Sequence, residues 1–235
     1  MQIKQTFNYI CSIKLNKRLN KLENTETKQV DKREHIMEVA EVLFAQFGFE
    51  AVSIREISKE AKINIAMVSY YFGSKNKLLE AIFIYRGNNT QTTLLNLESN
   101  KALSSLQKID KLIEHYVERV IEKNHFYKIL SREMVVNSTP EMDSLILGIK
   151  KQNLSIIKQI IAVGQKEGSF KKNIDIPLLI NTLSGTANSL IASQRYYKIM
   201  SGLEETPEAE FQKLLVRKLI AHLKTIFKTL IVNEI

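Results

Sequence analysis

Cysteine occurs once in the 235 residues, as Cys11. One thiol cannot close an internal disulfide, so a bridge-stapled secreted scaffold is excluded and a reducing cytoplasm is the expected setting. Proline and glycine are scarce too, at 3 and 8 residues. Few forced turns disfavour a many-stranded β fold and favour long helices. No apolar run approaches the roughly 20 residues that a spanning helix needs. The apolar stretch "TFNYICSI" near the start is followed by no A-x-A-like cleavage site, so an internal, soluble protein is expected. Catalytic signatures are thin as well. There is no glycine-rich phosphate loop. Glu122 and His125 form one Glu-x-x-His pair, where a di-iron bundle needs two. The single cysteine falls in a Lys- and Asn-rich leader without clear periodicity. These absences argue against an all-helical enzyme, and no cofactor or metal is expected.

What the chain does have is positive charge and helical pattern. The formal net charge is +9 and the pI about 9.4, which points to a polyanionic partner or to a solvated Lys-rich surface. Residues 1–27 read as a basic arm. From Asp31 onward, Ile36, Ala40, Leu43, Phe44 and Phe47 recur at helical spacing on one face. Gly48 is placed to stop that helix in the left-handed conformation, with Phe49 folding back on Phe44 as in a Schellman motif. Ser53 and Glu56 form a capping box for the next helix, whose inner face is Ile54, Ile57 and Ala61. Asn64 caps a short helix over 65–72, with Ile65, Val68 and Phe72 on one side and Ala66, Met67 and Tyr70 on the other. Gly73 ends it, and Ser74 caps a helix expected to run to about Gln91.

Beyond Asn100 nearly everything reads as helix, near 102–122, 125–136, 140–167, 176–200 and 207–231. Thr139-Pro140 and Thr206-Pro207 each place a cap before a first-turn proline, and Asp175 caps the helix expected over 176–200. The expected fold is all-α: a small three-helix unit over 28–77 followed by a larger helical body over 78–235. Two short helices joined by a tight turn are the helix-turn-helix layout, whose second member enters the major groove of DNA. Between residues 51 and 77 five basic residues face two acidic ones, 5 − 2 = +3, a modest electrostatic footprint.

The segment "FGFEAVSIREISKEAKINIAMVSYYFGSKNKLLEAI" closely resembles the DNA-binding segment of the TetR (tetracycline repressor-like) family of bacterial transcriptional regulators. The resemblance is carried by Phe47-Gly48-Phe49, Ser53, Ile57-Ser58, Ala61 to Asn64, Tyr70-Tyr71-Phe72, Ser74-Lys75 and Leu78. By position it implies that Ser53 and Arg55 contact phosphates. Asn64, Ala66, Met67, Ser69 and Tyr70 would form the recognition face, and Tyr71 and Lys75 would clamp the DNA backbone. Two departures stand out. Lys62 replaces the usual glycine, and Ser69 stands where a large residue is common. The face carries neither Arg nor Gln, so groove shape and methyl contacts would weigh more than base hydrogen bonds.

The resemblance further implies a homodimeric repressor of a near-palindromic operator, released by a small-molecule effector. The dimer interface is expected on the last two helices. One supplies Leu183, Ala187, Leu190 and Ile191 with the small residues Ser184, Gly185 and Ala192. The other supplies Phe211, Leu215, Leu219, Leu223, Ile226 and Leu230. Candidate effector contacts are His115, Tyr116, Arg119, Phe126, Tyr127 and Asn188, with His125, Asn181 and Gln194 as further polar positions. The alternative is a helical small-molecule-binding protein or an all-helical enzyme without DNA binding.

Overall fold

The structure is a computed structural model that describes residues 32–135 and 139–233; the basic arm over 1–27 and Cys11 lie outside the described residues. Helix α1 covers 32–47 among them. It is followed by α2 (Ile54–Glu60), α3 (Ile65–Phe72), α4 (Lys75–Ser99), α5 (Ser105–Glu122), α6 (Asn124–Val135), α7 (Pro140–Lys166), α8 (Ile176–Ala192), α9 (Gln194–Met200) and α10 (Glu208–Ile231). The chain divides into two compact units, one ending at Ala81 and the other beginning at Ile82, a break that falls inside α4. Among the described residues no helix is long and apolar enough to cross a membrane, and no three metal-ligating side chains converge.

The first unit closes around Ile36, Ala40, Phe44, Ile57, Ala61, Val68, Phe72 and Leu78, all buried. The stop of α1 is made by the Gly48 amide donating to the Phe44 carbonyl at 2.9 Å, with Gly48 at φ 90° and the Phe49 ring 5.2 Å edge-on to Phe44. Two residues expected inside lie outside: Phe47 is 63% exposed and Ile65 44% exposed. Both sit in the terminal turn of their helix, where the helical face runs past the edge of the small core.

The second unit is organised around α5. Its Ile109, Leu112, Ile113, Val117 and Val120 recur at helical spacing and are buried. The first four of these meet Ile157 and Ile161 of α7, Leu183 of α8, and Leu219 and Leu223 of α10 in one cluster. Phe170 seats in that core against Gly164, where an added Cβ would come within 2.3 Å of the ring. The strand-like bridge from Phe170 to Val232 fastens the α7–α8 loop to the end of α10.

Several expected boundaries move. Helix α4 runs to Ser99 rather than to about Gln91: Gly87 alone does not break it, and Thr90 and Thr93 return their hydroxyls to the carbonyls one turn back. The helix expected over 176–200 is two helices. At Ser193 (φ −106°, ψ 16°) the hydroxyl bonds back to the Ser189 carbonyl at 2.7 Å, and the chain restarts as α9. Thr206 caps nothing, because Pro207 itself occupies the cap position of α10 without a side-chain bond. The apolar stripes expected at a dimer interface are mostly spent inside the subunit, with Leu183, Ala187, Phe211, Leu215, Leu219 and Leu223 buried.

Candidate nucleic-acid interface

Local capping chemistry sets the two short helices. The Ser53 hydroxyl accepts from the Glu56 amide at 3.2 Å, and the Glu56 carboxylate accepts from the Ser53 amide and hydroxyl, both at 2.7 Å. Those bonds, the backbone one first, hold the Glu56 carboxyl below its usual range. Ser53 is exposed at the start of α2, but its hydroxyl proton is committed to Glu56. Arg55 follows it, exposed.

Helix α2 ends in a full Schellman motif. The Ile63 amide donates to the Ser58 carbonyl at 3.0 Å and the Lys62 amide to the Lys59 carbonyl at 3.2 Å. Lys62 takes the left-handed position at φ 54°, where glycine is the ordinary occupant. The substitution therefore keeps the tight turn and adds strain to it.

In α3, the Asn64 side-chain oxygen accepts from the Ala66 amide at 2.8 Å, and Asn64 is exposed. Val68 and Phe72 are buried in the first unit's core, each worth about 1.5–3 kcal/mol of transfer energy. Arg33 lies over the Phe72 ring at 5.2 Å, and His35 Nε2 stands 3.2 Å from the Ala61 carbonyl, so α1 fixes both ends of the turn and helix. The opposite face is open. Ala66 and Ser69 are exposed, Met67 is half-buried and Tyr70 is 74% exposed. The Tyr70 and Tyr71 rings meet edge to face at 5.2 Å. Gly73 at φ 76° ends the helix, and the Ser74 hydroxyl accepts from the Lys77 amide to start α4.

Lys75, to which the resemblance gives a phosphate contact, is engaged within its own unit. Its ammonium donates to the Phe49 carbonyl at 2.9 Å and the Glu50 carbonyl at 3.3 Å, and sits 4.4 Å above the Phe49 ring. It staples the first turn of α4 to the α1–α2 turn. These partners lie 25 and 26 residues away in sequence, and nothing local announces them.

In the second unit the structure brings most of the candidate effector residues together. The Tyr116 and Tyr127 rings meet at 5.8 Å, Phe126 and Tyr127 at 5.5 Å, and Phe83 of α4 reaches Phe126 at 5.3 Å. Asn188 Nδ2 donates to the Tyr116 hydroxyl at 3.3 Å, while its Oδ1 is buried without a partner. Burial raises both phenol pKa values, strongly for Tyr116; Arg119 and Arg86 pull Tyr127 partly back. His115 is half-buried with Nε2 unpartnered, and desolvation, then Arg119, lowers its pKa so that the neutral ring is favoured. Asn181 is exposed, and Gln194 accepts from Gln212 Nε2 at 2.7 Å, so neither joins the cluster.

A three-helix unit with its short third helix pinned inward by two residues and showing a polar-aromatic face outward, followed by a helical body, defines a helix-turn-helix DNA-binding regulator. Sequence comparison agrees. The family profile "Bacterial regulatory proteins, tetR family" matches residues 36–82, and "YsiA-like protein, C-terminal region" matches residues 92–222. The chain belongs to the tetR family and is a DNA-binding transcriptional regulator. It is 26% identical over 205 residues to "Probable HTH-type transcriptional regulator YttP" of Bacillus subtilis, covering 86% of this chain and 96% of that one. It is 31% identical over 147 residues to the HTH-type transcriptional repressor NicS of Pseudomonas putida, covering 61% and 68%. In fold it is similar to the fatty acid degradation regulator FadR from Bacillus halodurans (TM-score 0.64, 17% identity, 82% and 94% covered). It is also similar to the ketosteroid transcriptional regulator KstR2 of Mycobacterium tuberculosis (TM-score 0.60, 20% identity, 86% and 95% covered).

Proposed function

We propose that this regulator acts in the cytoplasm as a homodimeric repressor of a near-palindromic operator and that a small molecule bound in its body releases it. The observation that carries the reading is the outward face of α3. Residues 28–77 would do the DNA binding, with Asn64, Ala66, Met67, Ser69 and Tyr70 against the groove and Ser53, Arg55 and Tyr71 against the backbone. Because the Ser53 hydroxyl already donates to Glu56, its phosphate bond would come from exchange with that carboxylate or from its neighbour Arg55.

Residues 78–235 would dimerise and hold the effector. The dimer face falls to what the subunit core leaves exposed on α8 and α9: Leu178, Gly185, Ala192, Tyr196, Ile199 and Met200, large at the ends and small in the middle. A two-fold dimer would set two recognition helices about one DNA turn apart. Tyr116, Tyr127, Phe126, Asn188, His115 and Arg119 would form the effector site. An unpartnered buried Asn188 oxygen costs stability that a donor on a ligand would restore. Helix α4 is continuous from Lys75 to Phe83 and on to Ser99, so the ring touching Phe126 and the staple at Phe49 are turns of one helix. Effector binding would favour the arrangement in which the recognition helices no longer fit successive grooves. Selection of bound fragments from genomic DNA, followed by anisotropy on the enriched site, tests the reading. An inverted-repeat site bound by two chains is expected; enrichment of no sequence would overturn it.

A further inference from the structure

We infer that the backbone contact which the family resemblance gives to Lys75 is made in this protein by Lys62, in the turn just ahead of the recognition helix. The inference deepens the DNA-binding reading of the same unit and rests on it.

Three observations lead there. First, the Lys75 ammonium is engaged: two of its three N–H groups donate to carbonyls and it stands over an aromatic face, so turning it wholly to a phosphate would release the α1–α2 turn. Second, the Lys62 side chain is exposed, and its ammonium has no hydrogen bond or ion pair among the described residues. It stands two residues before Asn64, the N-cap of α3, so it accompanies the end of the helix that meets base edges. Third, Lys62 holds φ 54° in a motif where glycine would serve without penalty. A strained non-glycine residue persists where the surrounding structure holds it and something else favours its side chain. Here the side chain offers one thing that glycine cannot, a mobile positive charge on a four-carbon stem. Phosphate is the partner that such a charge meets beside a duplex, and contacts of this kind carry no sequence information.

The test uses the full-length protein and a duplex of random sequence, so no knowledge of the operator is required. Affinity is measured by anisotropy between about 50 and 200 mM potassium chloride, where each phosphate contact contributes about 0.9 to the slope of log affinity against log salt. Lys62→Gly and Lys62→Gln are expected to flatten that slope by about 0.9, so that each loses about 3.5-fold less affinity than wild type across the range. Lys62→Arg keeps the slope. Lys62→Gly also melts no lower than wild type, because the turn is relieved of strain while the charge is lost. Lys75→Met is expected to keep the wild-type slope while melting earlier. Should Lys75→Met fail to fold, the lysine side-chain NMR resonances of the wild-type protein supply the same comparison: Lys62 shifts on adding duplex and Lys75 does not. An unchanged slope in both Lys62→Gly and Lys62→Gln, or a flattened one in Lys75→Met, overturns the assignment. A wild-type protein whose binding ignores salt would overturn the DNA-binding reading along with it.

Discussion

Among the described residues two pairs of tyrosines meet edge to face, in different surroundings. Tyr70 and Tyr71 touch at 5.2 Å with their planes 72° apart; Tyr116 and Tyr127 touch at 5.8 Å and 75°. The ring contact is nearly the same. What differs is the surroundings. Tyr70 is on the open face of α3, where a hydroxyl and a ring edge are free for phosphate, sugar or a thymine methyl. Tyr116 and Tyr127 are sunk among α5, α6 and α8, and desolvation keeps their phenols protonated. An aromatic side chain is an interface tool or a core element according to which side of its helix is anchored, and on α3 that is decided by Val68 and Phe72.

The largest expected effect follows from removing that anchor. Phe72→Ala should cost about 3–5 kcal/mol, as large-to-small changes of buried aromatics do. Chemical denaturation followed by circular dichroism is the check, and the loss should fall on the first unit, with Tyr70 losing its fixed direction. A cost below about 1 kcal/mol would mean that Phe72 does not hold α3. Tyr70→Ala is expected to behave in the opposite way. Thermal stability should stay within about 0.5 kcal/mol of wild type, while operator affinity drops by about 1–3 kcal/mol and affinity for random duplex changes little. Equal losses on both DNAs would move Tyr70 from base reading to backbone contact.

This contrast also marks what could be read without coordinates. Caps were legible, because a cap is made among residues two or three apart. Ser53 with Glu56, Asn64, Thr139 before Pro140 and Asp175 all hold the amides that their chemistry suggests. Left-handed stops at Gly48 and Gly73 were legible for the same reason. The inward and outward faces of α3 followed from helical spacing, except at Ile65, where the helix begins before the core does. What escaped was settled by distant partners or by competing local bonds. Lys75 looks like a free surface cation until Phe49 and Glu50 are brought beside it. Leu183 and Leu219 look like partner-seeking stripes until α5 is seen to occupy them. The break at Ser193 turns on one hydroxyl returning to Ser189, a choice that serine makes only in some helices.

The buried pair permits a finer test of the comparison, by pH. Below the free phenol value of 10.0 both the folded and the unfolded chain carry these protons, so the two tyrosines contribute no pH dependence. Above it the unfolded chain releases them while burial makes the folded chain retain them. The folded state then binds more protons, and stability must fall as pH rises, by up to about 1.4 kcal/mol per pH unit for each phenol. Lysines titrate in the same range, so the double variant Tyr116→Phe with Tyr127→Phe is the reference that removes their share. At pH 8 the variant should be slightly less stable, because Asn188 loses its hydrogen-bond partner on Tyr116. Above pH 10 the wild-type curve should descend faster and the gap should close. Parallel curves for the buried pair would mean that water reaches those hydroxyls, and the two tyrosine pairs would then differ in position but not in environment.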